Sequence, residues 1–216
     1  MISSAEFKKH ISKTLSEQLR QLGFKGSGFD YRLDTENFIF VLGIQASQYG
    51  GQCCAEYAFQ PKVIDNNGFQ DIDFAKIKYY ACEFRARLHR PTKGDTWWKY
   101  TDNEQSNQLI ANEIVELVKT IFLPIIVLMQ EDPNPLDKIE ITDLDNVYKK
   151  VSAKLNGMSL MTSDIRLAWA LTKYYEKTNP MKARKFAEYS LMKSESIPGF
   201  FGRPYLEKIV KENNVA

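Results

Sequence analysis

"FIFVLGIQASQYGGQCCAEYAF", Phe38 to Phe59, decides the fold. Its first half is apolar on both parities, as a strand covered on both faces would be. "QYGG" then supplies a turn with two glycines. In the second half Cys53, Ala55, Tyr57 and Phe59 take one face, and Gln52, Cys54, Glu56 and Ala58 the other. Pro61 ends the run. Two strands with a glycine turn between them put an antiparallel sheet at the centre of the molecule.

Working outward, "GFDYRL" is a further strand, followed by a turn at Asp34 to Asn37. Before it lies a helix. Ser3 and Glu6 form a capping box, Phe7, Ile11, Leu15, Leu19 and Leu22 mark one face at helical spacing, and Gly23 suits the C-terminal cap. His10 falls outside that stripe and reads as a solvated histidine. On the other side, "DNNG" (Asp65 to Gly68) is a loop. Tyr80, Cys82, Phe84, Ala86 and Leu88 then share one parity, and Glu83, Arg85, Arg87 and His89 the other, as in a half-buried strand that Pro91 stops. Asp102 with Gln105 is placed to cap a long helix. Its apolar face runs through Leu109, Ile110, Ile114, Leu117, Val118, Ile121 and Phe122, and Pro124 should kink or end it.

"EDPNPLD", Glu131 to Asp137, reads as a linker. Beyond it the pattern is helical. Val147, Tyr148, Val151 and Leu155 form a stripe, and two helices flank Asn179-Pro180 at spacings like those of a single tetratricopeptide hairpin. A short helix from Pro204 to Glu212 closes the chain. The expected class is α+β: an antiparallel sheet flanked by N-terminal and long central helices, followed by a C-terminal helical subdomain. The expected division is residues 1–131 for the sheet domain and 138–216 for the helices.

A resemblance attaches to the N-terminal half. The residues that carry it are "LGFK" (Leu22 to Lys25), Gly28, "IQAS" (Ile44 to Ser47), "YGG" (Tyr49 to Gly51) and Pro61. Over roughly Glu6 to Phe122 the chain resembles an uncharacterised bacterial family of domains of unknown function. Where that family's second strand carries N-x-G, this chain has Glu56-Tyr57-Ala58. The resemblance implies a small α+β fold in bacteria and supplies no catalytic residues.

Composition bounds the function. The 216 residues are 44% hydrophobic and 26% charged, with a formal charge of +2, so any anion-binding surface must be a local patch. Three cysteines, two of them adjacent, make no disulfide framework and suit a reducing cytosol. The polar start lacks a signal-peptide core. The longest apolar stretch, Ile121 to Met129, is about half of what a bilayer crossing needs. The expectation is a cytoplasmic protein without membrane contact.

Chemistry is sparse. "GFKGSGFD" has neither the preceding strand nor the following helix that a phosphate-cradling loop requires. Two histidines and three cysteines without C-x-x-C spacing argue against zinc. Asp71 with Asp73, and Asp143 with Asp145, could face magnesium, but acidic residues near helix starts are commonly caps. Cys82 and His89 point to opposite faces of a regular strand, so they make no nucleophile–base pair. No cofactor or metal is expected, and the scarcity of positioned titrating groups argues against catalysis.

One stretch stands out: "CEFRARLHRPTKGDTWWKY", Cys82 to Tyr100. Arg85, Arg87 and His89 would project from one strand face at intervals of about 6.5–7 Å. Arg90, Lys93 and Lys99 lie just beyond, and Trp97, Trp98 and Tyr100 offer stacking or anchoring surfaces. The bland reading is a solvated strand, partly neutralised by Glu83, with tryptophans plugging the end of the sheet. The functional reading is a cationic, aromatic face that captures a protein partner in a non-enzymatic binding protein of immunity or accessory type. The alternative is a nucleic-acid-binding or nucleic-acid-processing protein.

Overall fold

A computed structural model describes residues 2–68, 70–91, 95–195, 197, 199–200 and 202–212. The chain opens with α1 (Ser4–Gln21). Ser3 Oγ accepts from the Glu6 N–H, and Glu6 Oε2 accepts from the Ser3 N–H, closing the capping box. Phe7, Ile11, Leu15 and Leu19 are buried on one face. At the far end Gly23 takes φ +89°. Its N–H donates to Arg20 O, and that of Phe24 to Leu19 O, which satisfies the last carbonyls of the helix.

The strands are β1 (Lys25–Ser27), β2 (Asp30–Asp34), β3 (Phe38–Ala46), β4 (Gln52–Pro61), β5 (Phe84–Leu88) and β6 (Trp98–Lys99). They form one antiparallel sheet in the order β1-β2-β3-β4-β5, with β6 pairing the start of β4. The hairpin register sets Phe40 opposite Phe59 and Leu42 opposite Tyr57. Phe40, Leu42, Cys53, Ala55, Tyr57, Phe59, Phe84, Ala86 and Leu88 belong to the main core. That core also contains α1 and the long central helix. On the other face Ile39, Val41 and Ala58 meet Ile77 and Cys82 in a second, smaller core. The connection between β4 and β5 folds back over this part of the sheet and lays the Tyr79 ring directly on Gly43, where a Cβ would collide with it. Both faces of β3 are therefore covered.

β5 begins later than its alternation suggests. Tyr79–Ala81 is a 3-10 turn, Tyr80 is exposed, and Cys82 packs in the smaller core rather than beside Phe84. The alternation holds only from Phe84, because Gln60 Oε1 takes the Glu83 N–H where a regular ladder partner would otherwise be.

The central helix comprises α2 (Glu104–Leu117), a π-helical turn (Val118–Phe122) and α3 (Leu123–Leu128). Asn103, not Asp102, caps it, its Oδ1 accepting from Ser106 N–H at 2.9 Å. The buried Asn107 amide holds both backbone groups of Thr101 and so fixes where the helix starts. The same amide donates to His10 Nδ1 at 2.8 Å, so His10 is a bonded partner of α2 and not a solvated histidine. Leu109 points to solvent. Pro124 neither ends nor breaks the helix: the widened turn before it, closed by Leu123 N–H to Val118 O, shifts the carbonyl with which its ring would clash.

Past the 3-10 turn Pro135–Lys138, the chain passes through a π-helical turn (Val147–Val151) and α4 (Ser152–Lys154). It then forms α5 (Asp164–Tyr175), α6 (Pro180–Lys193) and α7 (Arg203–Glu212). Tyr148 is exposed, while Val147, Val151 and Leu155 are buried. Leu136 and Ile139, within and just after the stretch that reads as a linker, are fully buried. The main core runs unbroken from Phe7 to Ile209. Two further ties join the tail to β5: Met161 N–H donates to Arg85 O at 2.8 Å, and Arg166 of α5 grips Glu83.

Candidate functional site

The fold leaves one part of the second sheet face without a covering layer. Its floor is Glu56, on β4 between Cys54 and Ala58 and directly opposite Arg87 in the ladder. Only 2% of Glu56 is exposed. Arg85 Nη1 lies 3.6 Å from its Oε2, and Arg87 Nε 3.8 Å from its Oε1. Both distances exceed a hydrogen bond, and neither Glu56 Oε2 nor Arg87 Nε has a hydrogen-bond partner among the described residues. Burial pushes the Glu56 carboxyl above the usual carboxylate range, against the pull of the two guanidinium groups. Its neighbours follow the same logic: burial raises Cys54 to about 11 and Tyr79 to about 12. A thiol so raised is no nucleophile at neutral pH.

Arg87 is further committed. Its Nη1 pairs with Asp95, and its guanidinium lies 5.3 Å from the Trp97 ring centroid. Arg85 is less committed. Among the described residues its side chain makes one ion pair, to Glu56, and no hydrogen bond. His89 Nδ1 lies 2.8 Å from Arg90 O, and its ring helps line a cleft of about 350 Å³ with Arg87, Asp95, Ser159 and Met161. A second cleft, of about 280 Å³, adjoins it across Met161 and includes Tyr80, Arg85 and Arg166. A third, of about 450 Å³, runs along Gln45, Tyr49 and Trp97.

The sequence stretch therefore divides. Arg85, Arg87, His89 and Trp97 lie together on or beside the open face. Arg90 turns away and forms a fork on Glu113 of α2, at 2.5 and 2.8 Å. Trp98 and Tyr100, read as contact residues, are each only 3% exposed, and Tyr100 stacks on Phe7 with centroids 4.3 Å apart. The reason is the period of two: with Trp98 opposite Cys53, Trp98 and Tyr100 face the main core while Trp97 and Lys99 face away. Tyr31 of β2 is likewise fully buried. Lys93 lies outside the described residues. Glu83 does not neutralise the arginines of the strand; it is buried and accepts two bonds from Arg166, at 2.7 and 2.5 Å.

Sequence reasoning missed Glu56 and Asp95. Glu56 had a signal: a carboxylate among small apolar residues, on the strand parity that pairs with the arginine parity of the next strand. In each acidic pair read as possible magnesium ligands, one member bonds the backbone. Asp73 accepts from Ala75 N–H, and Asp143 accepts from Glu140 N–H and pairs with Lys154. No group of three or more metal-ligating side chains occurs among the described residues. No helix among them is long and apolar enough to cross a membrane.

No curated protein and no solved structure matches the chain. Residues 15–127, which carry the end of α1, the whole sheet and nearly all of the central helix, match the family described as a domain of unknown function, DUF4304. Since that match covers more than half of the sequence, the chain belongs to the DUF4304 family.

Proposed function

We propose that this chain is a non-catalytic binding protein that captures a protein partner on the open part of its second sheet face. The observation that carries the reading is Arg85, a half-buried guanidinium with unused donors, in a cleft it shares with two exposed large side chains. Tyr80 is 64% exposed and Met161 36%. Tyr49, 86% exposed, and the half-buried Trp97 line a further cleft, with Trp97 beside Arg87. Arginine, tyrosine, tryptophan and methionine are the residues enriched where proteins meet. A carboxylate on the partner would complete Arg85 as a charge-assisted pair.

The pairing of the other cations favours a protein over a phosphate backbone. Arg87 is engaged by Asp95 and Arg90 by Glu113, so the run of positive charge read from the sequence is largely matched within the chain. The concrete form of the proposal is an immunity or accessory protein acting in the bacterial cytoplasm, where its three free, buried cysteines would stay reduced.

The test is affinity capture from the source cells with the wild-type chain, Arg85→Glu, Trp97→Ala and the distant surface control Leu109→Ser. We expect one protein to be held by wild type and Leu109→Ser and lost by the other two. Equal capture by all four would overturn the reading. So would binding of labelled DNA or RNA that weakens steeply with salt and depends on Arg85, which marks the nucleic-acid alternative.

A further inference from the structure

β5 is the last strand in the order β1-β2-β3-β4-β5, so one side of it has no strand beside it. The hydrogen bonds fix which backbone groups face that side. Tyr100 N–H donates to Gly51 O at 3.0 Å, and Trp98 lies opposite Cys53. That turns the backbone groups of Cys53, Ala55, Tyr57 and Phe59 toward β6 and β5. Ala86, opposite Tyr57, therefore bonds inward, and its neighbours Arg85 and Arg87 present their backbone groups outward. Met161 N–H meets Arg85 O on that outward side, at 2.8 Å. The rest of the edge is open. Among the described residues the Arg85 N–H and both backbone groups of Arg87 have no partner.

A cleft of about 350 Å³ adjoins this stretch, lined by Arg87, His89, Asp95, Ser159 and Met161. A small ion or a lone side chain would meet one of the free backbone groups. An extended chain meets both groups of Arg87, because its own N–H and C=O repeat at the same spacing.

The side chains along the edge select the charge of that chain. Arg85, Arg87 and His89 share the open face. Asp95 is committed to Arg87, and Glu56 lies buried beneath the two arginines, which leaves Arg85 with unused donors. In an added strand, the residue opposite Arg87 lies diagonal to Arg85, within reach of a long side chain. A carboxylate there completes Arg85, whereas an ammonium is repelled. Charges on an open edge exclude wrong strands as well as admitting the right one.

We infer that the partner docks as an extended acidic segment that adds a strand to the outer edge of β5 at Arg87 and sets a carboxylate on Arg85. The inference rests on the reading of this face as a partner surface and names the form in which the partner meets it.

The experiment titrates the full chain with a short synthetic peptide of alternating glutamate and valine, by calorimetry and by amide exchange in NMR. A lysine-for-glutamate peptide and a backbone N-methylated copy of the acidic one serve as comparisons. In the free chain the Arg87 amide should exchange fast and that of Ala86 slowly. The acidic peptide should bind and slow the Arg87 amide. The lysine peptide should bind about ten- to a hundredfold more weakly, the loss of one charge-assisted hydrogen bond, and Arg85→Glu should reverse that preference. The methylated copy should not bind. An Arg87 amide already protected in the free monomer overturns the inference, as does equal binding of the methylated copy. Protection that appears only as the chain dimerises overturns it in favour of a second copy. If no peptide binds while Arg85-dependent capture of a cellular protein persists, the added strand is excluded and the surface stands; if both fail, the surface falls with it.

Discussion

Glu56 is a carboxylate held in the sheet without a full set of hydrogen bonds, and its protonation is tied to stability. Burial raises its folded pKa above that of the unfolded chain. Between those two values the folded state binds more protons, so this residue makes stability fall as pH rises. Compared with Glu56→Gln, the wild type should therefore lose stability across the window from the ordinary glutamate range upward. Urea melts of both proteins from pH 4 to pH 8 would measure it. A stability difference that stays flat across that window would remove Glu56 as a strained centre of the open face. The surroundings of this residue were only half legible. Its parity could be read from the alternation in β4, but the carboxylates that quench the arginines come from three separate elements. Two of them, with Glu56 and Glu113, lie far from the arginines in sequence, and the third is the segment after β5 that carries Asp95. Local periodicity carries no information about such partners.

At the scale of elements, β6 shows how one residue of register separates packing from contact. Trp97 and Trp98 are neighbours in sequence and opposites in role. Trp98→Ala should cost about 3–5 kcal/mol, the usual loss for emptying a large buried aromatic site. Trp97→Ala should cost about 1 kcal/mol or less, since the half-buried ring gives up mainly its contact with the Arg87 guanidinium. Chemical denaturation of the two variants checks the pair, and similar losses in both would contradict the register. Elements with a strong local signal were legible: the capping box and stripe of α1, the glycine turn of the hairpin, the alternation from Phe84 to Leu88. Those decided by tertiary contacts were not. The helix starts at Glu104 rather than one residue earlier because Asn107 reaches back to Thr101. It passes Pro124 because a widened turn precedes it. The Tyr79 segment turns before β5 because it packs on Gly43.

At the scale of the molecule, the family match ends at residue 127, whereas the buried core continues to Ile209. A chain cut after residue 131 would lose the Met161 N–H that covers the outer edge of β5 and the Arg166 fork on buried Glu83. Removing one partner from a buried ion pair costs about 3–5 kcal/mol, and an uncovered edge strand invites association between copies. We expect the 1–131 fragment to be aggregated or poorly folded by size-exclusion chromatography and circular dichroism. Full stability of the fragment would show that the helical tail is dispensable to the sheet.

The Glu83–Arg166 pair also has a bearing on the order in which the chain is made. The two residues are 83 positions apart, so the carboxylate leaves the ribosome well before the guanidinium that neutralises it. Synthesis at roughly 5–20 residues per second leaves the early half waiting several seconds for its counter-ion. The sheet can be sealed only when α5 has emerged, which gives a nascent chain of this protein a long interval in which a chaperone has something to hold.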